Sequence, residues 1–207
     1  MNYLNTYLTE VLTASGLSGI RLDIAASILL SLAVMLFAIV VGRFIEILDE
    51  WLIRVTARAT GFSVARFILN RVMFMGTVFH ECSHALAAIL TGANVVKMCC
   101  FTLFSKTKLG YVEFETVGGR VKRSLQLSMV SCAPVLTGFI TVPLFANLAV
   151  SASSWALRIV FGWIALSILC HMSMSKADVQ LYVKGAIVVL PLLSMIVFIV
   201  RYVMGLH

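Results

Sequence analysis

A chain of 207 residues that is 61% hydrophobic and 12% charged, with a mean hydropathy of +1.03, is too apolar for a water-soluble domain. It reads as an α-helical multi-pass membrane protein with about five transmembrane helices and a small membrane-surface β-hairpin. The formal charge of +7 comes from 16 Lys and Arg scattered between apolar runs, which argues against a nucleic-acid partner and suits a lipid bilayer with anionic headgroups.

The first 20 residues carry little charge, and Tyr3, Leu4, Tyr7, Leu8, Val11 and Leu12 recur at helical spacing, as expected of a helix lying in the membrane interface. They hold no basic n-region or small-residue cleavage site, so no removable signal peptide is expected. Ile24 to Leu48 is the first span, with Arg43 and Glu46 near its far end, where they can snorkel or pair. From Asp49 to Arg71, aromatic and aliphatic residues alternate with Arg54, Arg58, Arg66 and Arg71, the pattern of a helical interfacial connector. Residues 1–66 are therefore read as an N-terminal interfacial helix, span and connector, and residues 67–207 as the functional core.

The second span, about Phe67 to Leu90, contains His80-Glu81-Cys82-Ser83-His84 and stops at Gly92 and Asn94. On a helix the four-residue spacing puts the two imidazoles on one face a turn apart, close enough to share one Zn²⁺. Glu81 faces the same place without ligating, the position of a general base in the H-E-x-x-H pattern. Ionisable groups at bilayer depth cost roughly 2.5 kcal/mol or more each, so three together call for a partner such as a metal.

Val95 to Phe104 and Tyr111 to Glu115 are β-type runs separated by a polar turn over Ser105 to Lys108, a hairpin at the membrane surface. The third span, about Leu125 to Val150, contains Pro134 and Gly138 as kink or close-packing points. Ser151 to Ser154 turn the chain, Trp155 to His171 form a short fourth span, and a polar break from Met172 to Asp178 precedes a fifth span from Val179 to Tyr202. Basic residues cluster in 92–123 and in 172–184, which places those segments, and the active site with them, toward the cytoplasmic side of a cell membrane. The four arginines of the connector then fall outside. The five cysteines lack C-x-x-C spacing and read as small buried hydrophobes, with Cys99-Cys100 as a remote second metal or redox pair.

A catalytic zinc takes three protein ligands. Downstream of His84 the carboxylates are Glu113, Glu115 and Asp178. The first two lie on the hairpin and are solvent-facing by alternation. Asp178 opens the last span behind a non-helical break of the kind tolerated at membrane depth where it lines a cavity, although an ordinary helix cap is its plain alternative. Asp178 is the favoured third ligand.

These residues resemble the site-2 protease family of intramembrane zinc metalloproteases. The resemblance covers roughly residues 67 to 200, in family order: the His80-to-Leu86 zinc helix, the Gly110-to-Phe114 strand, Ala133-Pro134-Val135-Leu136 in the third span, and Asp178. It implies zinc ligands His80, His84 and Asp178 and base Glu81. Ala177-Asp178-Val179 stands where the family has L-D-G, and Thr137 near where it often has asparagine, marking a divergent branch. His171 falls where the family often has a polar residue touching the bound peptide, and is equally a helix-end histidine facing headgroups. The expected activity is that of a zinc metalloendopeptidase cutting a transmembrane or membrane-associated protein. A non-catalytic zinc-binding membrane protein and a metal or proton transporter are the other classes, although no internal repeat of the transporter kind is found.

Overall fold

The structure, a computed structural model, describes residues 2–14, 19–102 and 109–204. It is mostly helical: α1 (Asn2–Ala14), α2 (Ile20–Thr60), α3 (Phe62–Phe67), α4 (Phe74–Thr91), α5 (Arg120–Ser151), α6 (Trp155–His171) and α7 (Lys176–Val203), with β1 (Asn94–Cys99) and β2 (Tyr111–Glu115) between α4 and α5. Three helices, α2, α5 and α7, are long and apolar enough to cross a membrane. A fourth span results if α3 to α4, bent by 51° at their break, count as one, and α6 is apolar but shorter.

Several boundaries differ from the sequence reading, among them the start of α7 at Lys176 and not Val179, and two of the differences have a clear physical reason. The first span and the connector are not separate pieces, because α2 runs on to Thr60 as one 41-residue helix. Between Gly42 and Gly61 the chain has neither glycine nor proline, so nothing breaks the backbone where the apolar run gives way to charge. Arg43 and Glu46 pair within it, as their spacing allows. Gly61, at φ +84°, ends the helix. The second span starts later than Phe67: Ile68–Val72 forms a π turn, closed by Met73 N–H to Ile68 O at 3.1 Å, and α4 begins at Phe74. A side chain from another helix holds that bend, since the Ser167 hydroxyl donates to Met73 O and accepts from Gly76 N–H at 2.7 Å. In α1 the described members of the apolar stripe, Tyr7 and Val11, are exposed.

β1 and β2 pair antiparallel, with a bulge at Val96 between the Val95–Phe114 and Lys97–Glu113 pairs. β1 ends at Cys99, earlier than the apolar run suggests, and Thr102 N–H to Leu109 O at 2.6 Å continues the pairing. The expected turn over Ser105 to Lys108 lies outside the described residues. Arg71, expected in the connector, ties the hairpin down: its Nη1 donates to Thr102 O at 2.7 Å and its guanidinium lies 5.9 Å from the Phe101 ring centre. Gln126, fully buried, clips the other end by accepting from Val117 N–H at 2.9 Å and donating to Thr91 O at 3.1 Å.

α4 packs against α5 and α6, α7 against α5, and α2 against α7. Lipid tails are as apolar as leucine, so the helices associate by close packing and polar contacts. Gly185 shows how close: a Cβ there would overlap Ser124 O and Ser128 Oγ of α5. Met35, Cys132, Val135, Met174 and Tyr182 form the core between α2, α5 and α7, and the Tyr182 hydroxyl donates to Met35 O at 3.3 Å.

Candidate metal centre

Within α4 the i, i+4 spacing brings the imidazoles of His80 and His84 together, with their Nε2 atoms 3.1 Å apart and their rings nearly perpendicular at 78°. Each ring is oriented by a main-chain carbonyl from another helix. His80 Nδ1 lies 2.7 Å from His171 O, and His84 Nδ1 lies 2.7 Å from Val130 O. A carbonyl only accepts, so Nδ1 carries the hydrogen in both rings and the Nε2 atoms face each other. Two lone pairs at this separation repel unless a positive charge stands between them.

Helix irregularities make both carbonyls available. Val130 O would ordinarily accept from the N–H of residue 134, but Pro134 has none. His171 is the last residue of α6, where carbonyls lack an intrahelical donor. The proline expected to act as a kink point thus also frees an acceptor for His84 on α4.

The third donor arrives from α7, 94 residues beyond His84. Asp178 Oδ1 lies 3.6 Å from His84 Nε2, and one ligand atom from each of His80, His84 and Asp178 falls within 4.8 Å of the others. An ion about 2.0–2.2 Å from each of three tetrahedral ligands sets those ligands roughly 3.3 Å apart, so the trio could hold a metal ion. Two imidazoles and a carboxylate suit zinc among others. The alternative of a helix cap is also realised, on the other oxygen. Asp178 Oδ2 accepts from Ser175 N–H at 2.9 Å and from the Ser175 hydroxyl at 2.6 Å, while Ser175 Oγ accepts from Asp178 N–H at 3.2 Å. This capping box anchors one oxygen and leaves the other toward the histidines. The preceding break is held by Met174, whose N–H reaches Gly42 O of α2 at 3.3 Å and whose side chain is fully buried.

Glu81 is 9% exposed and packs beneath the hairpin at Gly110. A Cβ at residue 110 would lie 2.7 Å from Glu81 Cγ and 2.9 Å from Cys100 O, so only glycine fits without displacement. Glu113 and Glu115 remain on β2, and Glu113 faces Lys97 at 3.9 Å across the sheet. Neither joins the histidine pair among the described residues.

A cavity of ≈ 10 Å³, room for about one water, lies beside His80 and is lined by Ser83, Pro134, Thr137, Thr141 and His171 among others. Ser83 Oγ and Thr137 Oγ1 are 2.6 Å apart. Their two hydroxyl hydrogens already serve three contacts, this one and the back-bonds to Phe79 O at 2.6 Å and Ala133 O at 2.8 Å, so in this arrangement the pair has no spare donor for a developing oxyanion. His171 Nδ1 donates to Ser167 O at 2.9 Å, which leaves its neutral ring only an acceptor nitrogen. Its contribution to the centre is the carbonyl that orients His80. Sequence reasoning missed the roles of Val130, His171 O and Ser175. A proline in a span, a helix end and a serine three residues before an aspartate were the signals that could have found them.

No family model, curated protein or solved structure matches the chain.

Proposed function

We propose that this chain is an intramembrane zinc endopeptidase of the kind its resemblance to the site-2 proteases implies, acting on a transmembrane or membrane-associated protein. The single observation that carries the reading is the convergence of His80, His84 and Asp178 from two helices far apart in sequence, with Glu81 next to His80 in α4. In this reading α2, the bent α3–α4 pair, α5, α6 and α7 are five crossings. Zinc, when bound, would supply a Lewis acid that polarises the peptide carbonyl and makes water acidic near neutral pH.

The chain's own residues do the rest. The carbonyls of Val130 and His171 hold both imidazoles in the tautomer that turns Nε2 toward the shared site, and Ser175 holds the Asp178 carboxylate. Glu81 takes the proton of the attacking water on its carboxylate and returns it to the leaving amine. A ligand-only site needs no such base, so the presence of Glu81 favours catalysis over a structural or sensory metal. A helical substrate must unwind before its carbonyl is accessible. Its unwound segment could add to the outer edge of β2 next to Gly110, and Gly110 leads straight to Glu81.

The test compares membranes containing wild type, Glu81→Gln and His80→Ala, mapping new protein termini by mass spectrometry and measuring zinc on the purified proteins. Wild type should generate termini within membrane segments; Glu81→Gln should keep its zinc and lose them; His80→Ala should lose both. Termini that persist in Glu81→Gln would remove the peptidase reading, and zinc retained at full stoichiometry in His80→Ala would remove the metal centre.

A further inference from the structure

Two thiols meet where the hairpin rests on α4. Cys82, exposed on α4, and Cys100, half-buried just past the end of β1, share a side-chain hydrogen bond. A second observation brings the same two segments together. The Cβ that residue 110 lacks would lie 2.7 Å from Glu81 Cγ and 2.9 Å from Cys100 O, so Gly110 fits between the residue preceding Cys82 and the main chain of Cys100. Neither thiol belongs to the His80, His84 and Asp178 group.

The expectation that the cysteines are small buried hydrophobes holds for Cys132 and Cys170, which are buried, but not for Cys82. Of the two adjacent hairpin cysteines only Cys100 faces α4. Cys99 Sγ lies 3.1 Å from Thr102 Oγ1 and 3.8 Å from Phe101 O, within its own loop, as expected where successive side chains of an extended segment point to opposite sides. Both Cys82 and Cys100 are free thiols. A bridge between side chains already in contact avoids the large backbone movement that separated cysteines would need.

We propose that Cys82 and Cys100 are a redox-active dithiol that a peroxide converts into a disulfide, pinning the hairpin to α4 above Glu81. One sulfur attacks the peroxide O–O bond, releasing water and becoming a sulfenic acid. The other sulfur then displaces the sulfenic hydroxyl, which leaves as a second water with the remaining thiol proton. Each sulfur is oxidised by one electron, and the peroxide is reduced to two molecules of water. A small-molecule thiol reverses the step by exchange. The bridge closes a loop between residues 18 apart and holds Cys100 and Gly110 against Glu81, which shuts the approach along β2. That regulatory consequence rests on the peptidase reading; the dithiol itself does not.

Purified full-length protein is treated with hydrogen peroxide and then with dithiothreitol, beside Cys82→Ser, Cys100→Ser and Cys99→Ser. Peptide mapping without reduction should find a Cys82–Cys100 disulfide in wild type and in Cys99→Ser, and in neither of the other variants. Wild type should lose two of its five free thiols on oxidation and regain both on reduction. Amide exchange over β1 and β2 should slow on oxidation in wild type and stay unchanged in Cys82→Ser. Cleavage by wild type should be lost on oxidation and return on reduction, while Cys82→Ser keeps cleaving in peroxide. A Cys99–Cys100 bridge, a covalent dimer through Cys82, oxidation of either thiol without a bridge, or full cleavage by the bridged protein would overturn the proposal. A chain that forms the bridge but never cleaves in either state would uphold the dithiol and remove the peptidase reading.

Discussion

Replacing Ser175 with alanine should weaken zinc binding although Ser175 is not a ligand. Its hydroxyl donates to Asp178 Oδ2 at 2.6 Å and accepts from Asp178 N–H at 3.2 Å, while its main-chain N–H, which survives the substitution, gives Oδ2 a second donor at 2.9 Å. Loss of a serine N-cap costs about 1 kcal/mol. Removing a partner that holds a ligating group costs about 10- to 100-fold in metal affinity. Ser175 is exposed and one donor to Oδ2 remains, so the low end applies. Tenfold corresponds to about 1.4 kcal/mol, close to the cap's own worth, because the bond that starts α7 is also the bond that aims the carboxylate. The assay is a competition titration of zinc against a chromogenic chelator in detergent, run beside Ser175→Thr and Asp178→Asn. Ser175→Thr should bind as wild type does, Ser175→Ala about tenfold more weakly, and Asp178→Asn more weakly still. Undiminished affinity in Ser175→Ala together with a clear loss in Asp178→Asn would show that the carboxylate needs no cap to find its direction.

Gly110→Ala should keep zinc but slow cleavage, since its Cβ would press to 2.7 Å from Glu81 Cγ; zinc stoichiometry measured beside cleavage rate separates the two effects. In Gln126→Leu the Val117 N–H and the Thr91 O lose their partner, a cost of about 0.5–1.5 kcal/mol each for part-buried bonds. Denaturant unfolding should register the loss, and amide exchange should be faster at residue 117. Gly185→Ala should lower the unfolding temperature because its Cβ overlaps Ser124 O, with overpacking costs of about 1–3 kcal/mol, whereas Gly119→Ala, which has nothing within 4 Å, should not.

The parts of the centre that depend on spacing within one helix were legible in the sequence. The His80 and His84 imidazoles meet because four residues make about one turn, whatever surrounds them. Asp178 was found by scarcity of carboxylates and by the break ahead of it, and both its readings, ligand and cap, turn out to be geometrically compatible because a carboxylate has two oxygens. Hairpin, helix stop at Gly92 and the α6 limits followed from local chemistry. The extent of α2 did not, because the apolar run ends near Leu48 while the backbone meets no breaker until Gly61. The bend at Met73 was equally hidden, being braced by Ser167, 94 residues away. Thr137 could be matched to a polar position, but only the positions of Ser83, Phe79 and Ala133 reveal that its hydroxyl has no hydrogen to spare.

The two acceptors that orient the His80 and His84 imidazoles belong to the main chain, at His171 and Val130. Every amino acid brings an identical carbonyl, so mutational drift at these two positions alters packing without erasing the acceptor itself. Vulnerability is displaced to residue 134: any replacement of Pro134 returns an amide hydrogen to compete for Val130 O. A substitution usually expected to repair a helix would there set the helix's own ladder against the tautomer of His84.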